Sequence, residues 1–270
     1  MNRLLKIEIT KLLSYSTFWV LTGIAGGFYV LILGAVTQIN FNIAEIDPQI
    51  YWRFPVVWQS ISYYSSWFNL LLALLIIILT ANDFVFRTLR QHVIDGLSRQ
   101  DIFVSKLALM LVFAGIAFGV NLLAGFFIGS IFSKGYQDIF KDIYFIFLYF
   151  INVMGIMSFA YFIAVAMKKT GISIVLFAGV YIFELILRGY LALLNLNFGQ
   201  FLPFKVFSNL CTAPSLKKMI ADPMIKQSLE QSIQLQSEQG TPLELNTLLA
   251  IAYTGLFLYL SYYLLQKRDL

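Results

Sequence analysis

The sequence predicts an all-α membrane protein: six transmembrane helices, an amphipathic helix at the membrane surface before the first, and a short helix between the second and third. Three observations carry this. Hydrophobic residues make up 59% of the 270 residues and charged residues 12%, against about half and about a quarter in soluble domains. The apolar residues fall into six runs, each near or above the roughly 20 helical residues that cross a bilayer core. Most Lys and Arg residues stand at the ends of alternate runs, the bias that sets orientation.

In the first segment, 1–16, Leu5, Ile9, Leu12 and Leu13 share one side of a helical wheel and Arg3, Lys6, Thr10 and Ser14 the other. Such a helix lies in the headgroup plane and enters the membrane sideways, as an elbow. The first span runs from Thr17 to Thr37, with no small-residue cleavage site, and is expected to stay in the mature protein. Gln38 to Ser62 carries Asp47-Pro48 and the aromatics Tyr51, Trp52, Phe54 and Trp58, the composition of a belt at the outer interface.

The second span is expected over Tyr63 to Ala81 and the third over Ile102 to Phe132. The third is longer than a crossing needs, so it should tilt, bend or project. The fourth runs from Ile143 to Met167, the fifth from Ile172 to Leu194 and the sixth from Leu248 to Leu265. The 195–247 connection is read as extracytoplasmic, with surface helices in the polar stretch Ser215 to Gln239, interrupted by Pro223. All 270 residues form a single transmembrane domain.

With both termini in the cytoplasm, the inner connections hold Arg3, Lys6, Lys11, Arg87, Arg90, Arg99, Lys106, Lys168, Lys169, Lys267 and Arg268. Most of the remaining basic residues lie in or beside the long fifth connection, and long translocated segments follow the positive-inside rule poorly. The net charge of +5 is therefore a topology signal, and no nucleic-acid partner is expected. The one cysteine, Cys211, and the one histidine, His92, offer no zinc cluster; His92 reads as a surface residue.

Two features could act inside the membrane. Glu184 and Arg188 stand four apart in the fifth span, roughly 20 to 25 Å from its inner end. They share a helix face and can pair, either as a self-neutralising pair near the outer headgroups or as a polar spot on a substrate route. Gly23 with Gly27, Gly115 with Gly119 and Gly125 with Gly129 have the spacing that lets helix backbones approach.

The most informative stretch is NDFVFRTLRQHVIDGLSRQDIFVSK, Asn82 to Lys106. Asn82 and Asp83 can cap a new helix, Arg87, Arg90 and His92 fall on a short amphipathic segment, and Gly96 can stop it. On residues alone this is either a solvated basic loop or a short helix that plugs into a soluble partner. The elbow, the six spans and this loop, with Asp83, Thr88-Leu89-Arg90, Gly96-Leu97-Ser98-Arg99 and Lys106, resemble the permeases of the ABC-2 exporter family. Family members more often carry Glu where Asp83 stands and Gly-Thr where Arg87-Thr88 stands.

The resemblance implies a permease that pairs with a second one, identical or related, and sits on two cytosolic ATP-binding cassette ATPases in a bacterial inner membrane. The region 82–101 would be the coupling helix, and Asp83, Arg87, Thr88, Arg90, Ser98 and Arg99 its ATPase-facing residues. ATP and Mg would be bound by the partner, because this chain has no phosphate loop; no cofactor is expected on the chain itself and no enzymatic activity. Two other classes compete: a non-transporting scaffold in an envelope complex, and an intramembrane enzyme, for which only Glu184 with Arg188 offers a polar centre. Substrate identity stays open.

Overall fold

The computed structural model describes residues 10, 12–38, 48–94, 96–133, 138–194, 196–214 and 241–267, and every regular element in them is helical. The helices are α1 (Ser16–Gln38), α2 (Val57–Ser66), α3 (Asn69–Val85), α4 (Thr88–Ile94), α5 (Arg99–Phe132), α6 (Tyr144–Met167), α7 (Thr170–Leu193), α8 (Pro203–Leu210) and α9 (Leu243–Lys267). Short 3-10 turns cover Pro48–Trp52 and Asn197–Phe201.

Among the described residues, α1, α5, α6, α7 and α9 are each long and apolar enough to cross a membrane. The expected second span is different. It is a broken pair, α2 and α3, which meets the same criterion only together and bends by 43° at Trp67–Phe68. The bend has a local cause. The hydroxyls of Ser62 and Ser66 donate back to the carbonyls of Trp58 and Tyr63, and the N–H groups of Trp67 and Phe68 tighten to the carbonyls three residues earlier. Such bonds compete with the regular ladder and bend helices.

The helix α6 is the axis of the bundle. It is apolar all round, as a helix enclosed by other helices should be, and α2, α3, α5, α7, α8 and α9 all pack on it. Of its 24 residues 17 are buried, whereas α1 is exposed along most of its length. The outward faces of α1, α5 and α7 carry Trp19, Phe28, Leu123, Phe127, Val175 and Phe183, surface that is stable only against lipid or another apolar partner.

The expected aromatic belt is corrected by the structure. Trp52 and Trp58 are buried, and the Trp58 indole N–H donates to the Ile139 carbonyl at 2.6 Å. Gly125 and Gly129 explain why: they do not bring two backbones together but leave slots for the rings of Trp58 and Phe54. A methyl group added at Gly125 would overlap the Trp58 ring, whereas one added at Gly23, Gly27, Gly115 or Gly119 meets nothing within 4 Å. Those last four glycines mediate no close approach among the described residues. Gly125→Ala is expected to cost about 1–3 kcal/mol by overpacking, read as a lower thermal midpoint in detergent, while Gly119→Ala leaves the midpoint unchanged or raises it.

In the first described part of the 195–247 connection, α8 packs among the long helices: Asn152 donates to the Phe207 carbonyl at 2.6 Å, and the Phe207 ring lies on Gly155. Asn152 is about 12 Å along α6 from Tyr144. Phe204, Val206, Phe207 and Leu210 are buried, so the apolar face of this short helix is enclosed in protein. The surface helices expected over 215–239 lie outside the described residues, apart from which Pro242 leads directly into α9. Most of the 1–16 elbow lies outside them as well. Its described end, Thr10 and Leu12–Ser14, is helical and breaks at Tyr15 before α1, with Leu12 buried and Leu13 half-exposed.

Candidate functional site

Residues 82–106 form a compact reversal between two membrane helices. The chain leaves α3 at Val85, turns through Arg87 in the left-handed region (φ 55°), forms the two turns of α4, and turns again at Gly96 (φ 87°). A non-glycine residue at positive φ is uncommon. Glycine at 96 meets the same need at no steric cost.

The expected roles of the polar residues are then redistributed. Asp83 does not cap a new helix; it is buried within the last turn of α3, where its carboxylate meets the Lys106 ammonium at 2.5 Å. The Thr88 hydroxyl donates to the same carboxylate at 3.0 Å. One acidic side chain thus ties together α3, the first residue of α4 and α5. Lys106, expected as a topology signal at the headgroups, is instead a buried ion partner about two turns into α5.

Ser98 is the true cap. Its hydroxyl accepts from the Asp101 N–H at 3.1 Å while the Asp101 carboxylate accepts from the Ser98 N–H at 3.0 Å, a capping box that starts the longest helix. Arg99 reaches across to the end of α9, donating to the carbonyls of Leu265 and Gln266 at 3.1 and 2.5 Å, where a cation satisfies helix-terminal acceptors. Asn82 accepts from the Thr170 hydroxyl at 3.0 Å, and Lys168 stands 5.6 Å over the Phe84 ring. These bonds place 82–106, the α6–α7 junction and the end of α9 at one end of the bundle.

Of the six residues expected to face a partner, Asp83, Thr88, Ser98 and Arg99 therefore build and brace the reversal. Arg87 is exposed; Arg90 lies in α4, and its side chain, like that of His92, is outside those described. What is exposed was missed by charge-based reading: Val85, Phe86, Val93 and Ile94 all lie on the surface of the chain, Ile94 at 83%, while Leu89 turns inward and is buried. The signal was present as apolar residues between the charges.

The Glu184–Arg188 expectation is also revised. Both carboxylate oxygens of Glu184 are taken by backbone N–H groups at the start of α8, Phe204 at 3.0 Å and Lys205 at 2.7 Å. No hydrogen bond or ion pair joins it to Arg188 among the described residues. Glu184 is an N-terminal anchor for α8, whose first N–H groups have no intrahelical acceptor and carry the positive end of the dipole.

Nearby runs a chain of amides. The Tyr149 hydroxyl donates to Asn69 at 3.1 Å, Asn69 to Asn152 at 2.7 Å, and Asn152 to the Phe207 carbonyl. A second group joins Tyr29 and Ser65 to Asn121. Polar side chains at membrane depth need such partners and mark functional regions more often than chance. Asn69, Asn121 and Asn152 stood in the sequence as single amides inside apolar runs. Beside the first group lies a half-open cavity of about 630 Å³ between the α2–α3 break, α6, α7 and α8. No family model matches this chain, and no curated protein matches it.

Proposed function

We propose that this chain is the membrane-spanning permease subunit of an ATP-driven exporter of the ABC-2 kind, with 82–101 as its coupling region. It sits in a bacterial inner membrane with both termini cytoplasmic, beside a second permease and surrounding lipid, and ATP and Mg are bound by a separate cassette ATPase. The observation that carries this reading is the construction of α4. Its base is fixed by the buried Asp83–Lys106 pair and the Thr88 bond, while its outer side presents Phe86, Val93 and Ile94 beside Arg87.

A solvated loop needs neither a buried charge pair at its base nor an apolar tip. A helix that transmits force needs both: an apolar surface to seat in a partner groove, and a stiff attachment to long helices so that displacement is passed on. Here the attachment leads into α3 and α5 together. The amphipathic start of the chain and the long apolar helices fit the same reading.

The reading is tested at the tip. Ile94→Cys, treated in isolated membranes with a short bifunctional thiol reagent, is expected to capture a cytosolic chain that carries a phosphate loop. The native Cys211 is buried and should give little background. Capture of no soluble chain, or labelling only from the outer face, would remove α4 from the cytoplasmic interface.

A further inference from the structure

The 630 Å³ cavity lies within the range of about 300–1,000 Å³ over which proteins hold small molecules. Its α8 wall is pinned from three helices. The Glu184 carboxylate on α7 accepts from the N–H groups of Phe204 and Lys205, and Asn152 on α6 donates to the Phe207 carbonyl. Gln59 on α2 donates to the carbonyls of Thr212 and Ala213, both at 3.3 Å. A wall held in this way is in place before a ligand arrives, so binding does not have to order it.

The lining offers aromatic surface and open, neutral hydrogen-bonding groups. Trp67 is 53% exposed, and Tyr63 and Tyr64 meet it edge-on, at 73° and 68°, so much of its ring surface is open. The hydroxyls of Tyr63 and Tyr181 donate to no group among the described residues. Ser66 and Ser208 donate to the carbonyls of Tyr63 and Lys205 and keep lone pairs that can accept. Asn209 makes one long bond to Asn246, at 3.5 Å, and its own carbonyl oxygen accepts none among the described residues. Lys205 borders the space with the Glu184 carboxylate on its backbone N–H, so recognition by net charge is not what this lining provides.

We infer that this cavity binds a neutral sugar ring, its C–H face on Trp67 and its hydroxyls shared among Tyr63, Tyr181 and Asn209. A sugar hydroxyl gives one hydrogen bond and accepts others, which suits a lining with donors and acceptors both open. The polarised C–H groups of the ring lie on the negative face of an aromatic side chain. An apolar molecule would leave the phenol and amide groups unpaired, at a cost for each, and an ion would use only the donors or only the acceptors. The sugar arrives either free in water or as the headgroup of a lipid. The inference rests on the cavity and not on the exporter reading.

Trp67 provides the readout. In a Trp19→Phe background the other tryptophans, Trp52 and Trp58, are buried, so a change of emission on adding sugar reports chiefly on Trp67. The purified full chain in phosphatidylcholine nanodiscs is titrated with methyl glucoside and methyl galactoside in the buffer. In a parallel series it is titrated with monoglucosyl and monogalactosyl diacylglycerol in the lipid, and with plain diacylglycerol as the sugarless control. A saturable shift is expected with a sugar probe and not with diacylglycerol, and the series that produces it identifies the source as water or membrane. Tyr63→Phe and Tyr181→Phe keep the rings and remove the hydroxyls, so each should raise the half-saturating amount by roughly three- to tenfold with the thermal midpoint unchanged. Tyr259→Phe, exposed and outside the lining, should leave it unaltered. No saturable shift with any of the four sugar probes, a shift matched by diacylglycerol, or one indifferent to both tyrosine substitutions in the lining would overturn the inference.

Discussion

Asp83→Ala is expected to destabilise the protein by about 3–5 kcal/mol. The reason is not the strength of the Asp83–Lys106 attraction. Taking both charges out of water costs free energy, and their attraction roughly offsets that cost. Removing the carboxylate takes away the buried ion partner that Lys106 has in Asp83, and one of the two Asp83 acceptors of the Thr88 hydroxyl. Replacing both members, Asp83→Ala with Lys106→Met, should therefore recover most of the loss, because an apolar pair of similar volume packs without a charge to compensate.

The comparison is a thermal-unfolding series in detergent, with Lys106→Met as the fourth corner of the cycle. The restored double variant should still fail to transmit movement from α4, since α3, α4 and α5 have lost their common tie. A stability within about 1 kcal/mol of wild type for Asp83→Ala would show that the pair is not the brace described here.

Arg87→Glu with Arg90→Glu should behave in the opposite way, with little effect on the fold and a large one on assembly. Arg87 is exposed, and surface substitutions away from packed features usually change stability by no more than about 0.5 kcal/mol. At an interface, juxtaposed like charges cost several kcal/mol, and about 1.4 kcal/mol is tenfold in affinity. The double reversal should thus insert normally, lose ATPase co-purification by at least about tenfold, and abolish substrate-stimulated ATP hydrolysis.

How much of this was legible in the sequence differs from element to element. The long apolar helices were, because the 20-residue requirement of a bilayer leaves few other readings of such runs. Which helix is the axis was not: Tyr144–Met167 and Thr170–Leu193 are both apolar, yet 17 of the 24 residues of the first are buried and only 3 of the 24 of the second. In lipid the outer face of a bundle is as apolar as its inside, so composition does not separate them.

The same loss of contrast explains Trp58. A tryptophan beside a span reads as a belt residue, and only Gly125, more than sixty residues later, reveals the slot that takes it. Charges were misread for a related reason. Lys106 reads as a topology signal and Asp83 as a helix cap until the reversal brings them together. Glu184 looks like half of an i,i+4 pair until α8 returns with two free N–H groups. That packing is carried by four apolar residues, Phe204, Val206, Phe207 and Leu210, in a segment too short for its period to stand out in the sequence.

The coupling claim is tested most directly by affinity purification of the full chain from its own membranes in mild detergent, run side by side with the Arg87→Glu, Arg90→Glu variant. The account predicts that a cytosolic chain with a phosphate loop co-purifies with the wild type and is lost from the variant, while both preparations unfold at the same temperature. Recovery of a folded wild-type chain with no ATPase, or equal recovery of the ATPase by the double variant, would contradict it.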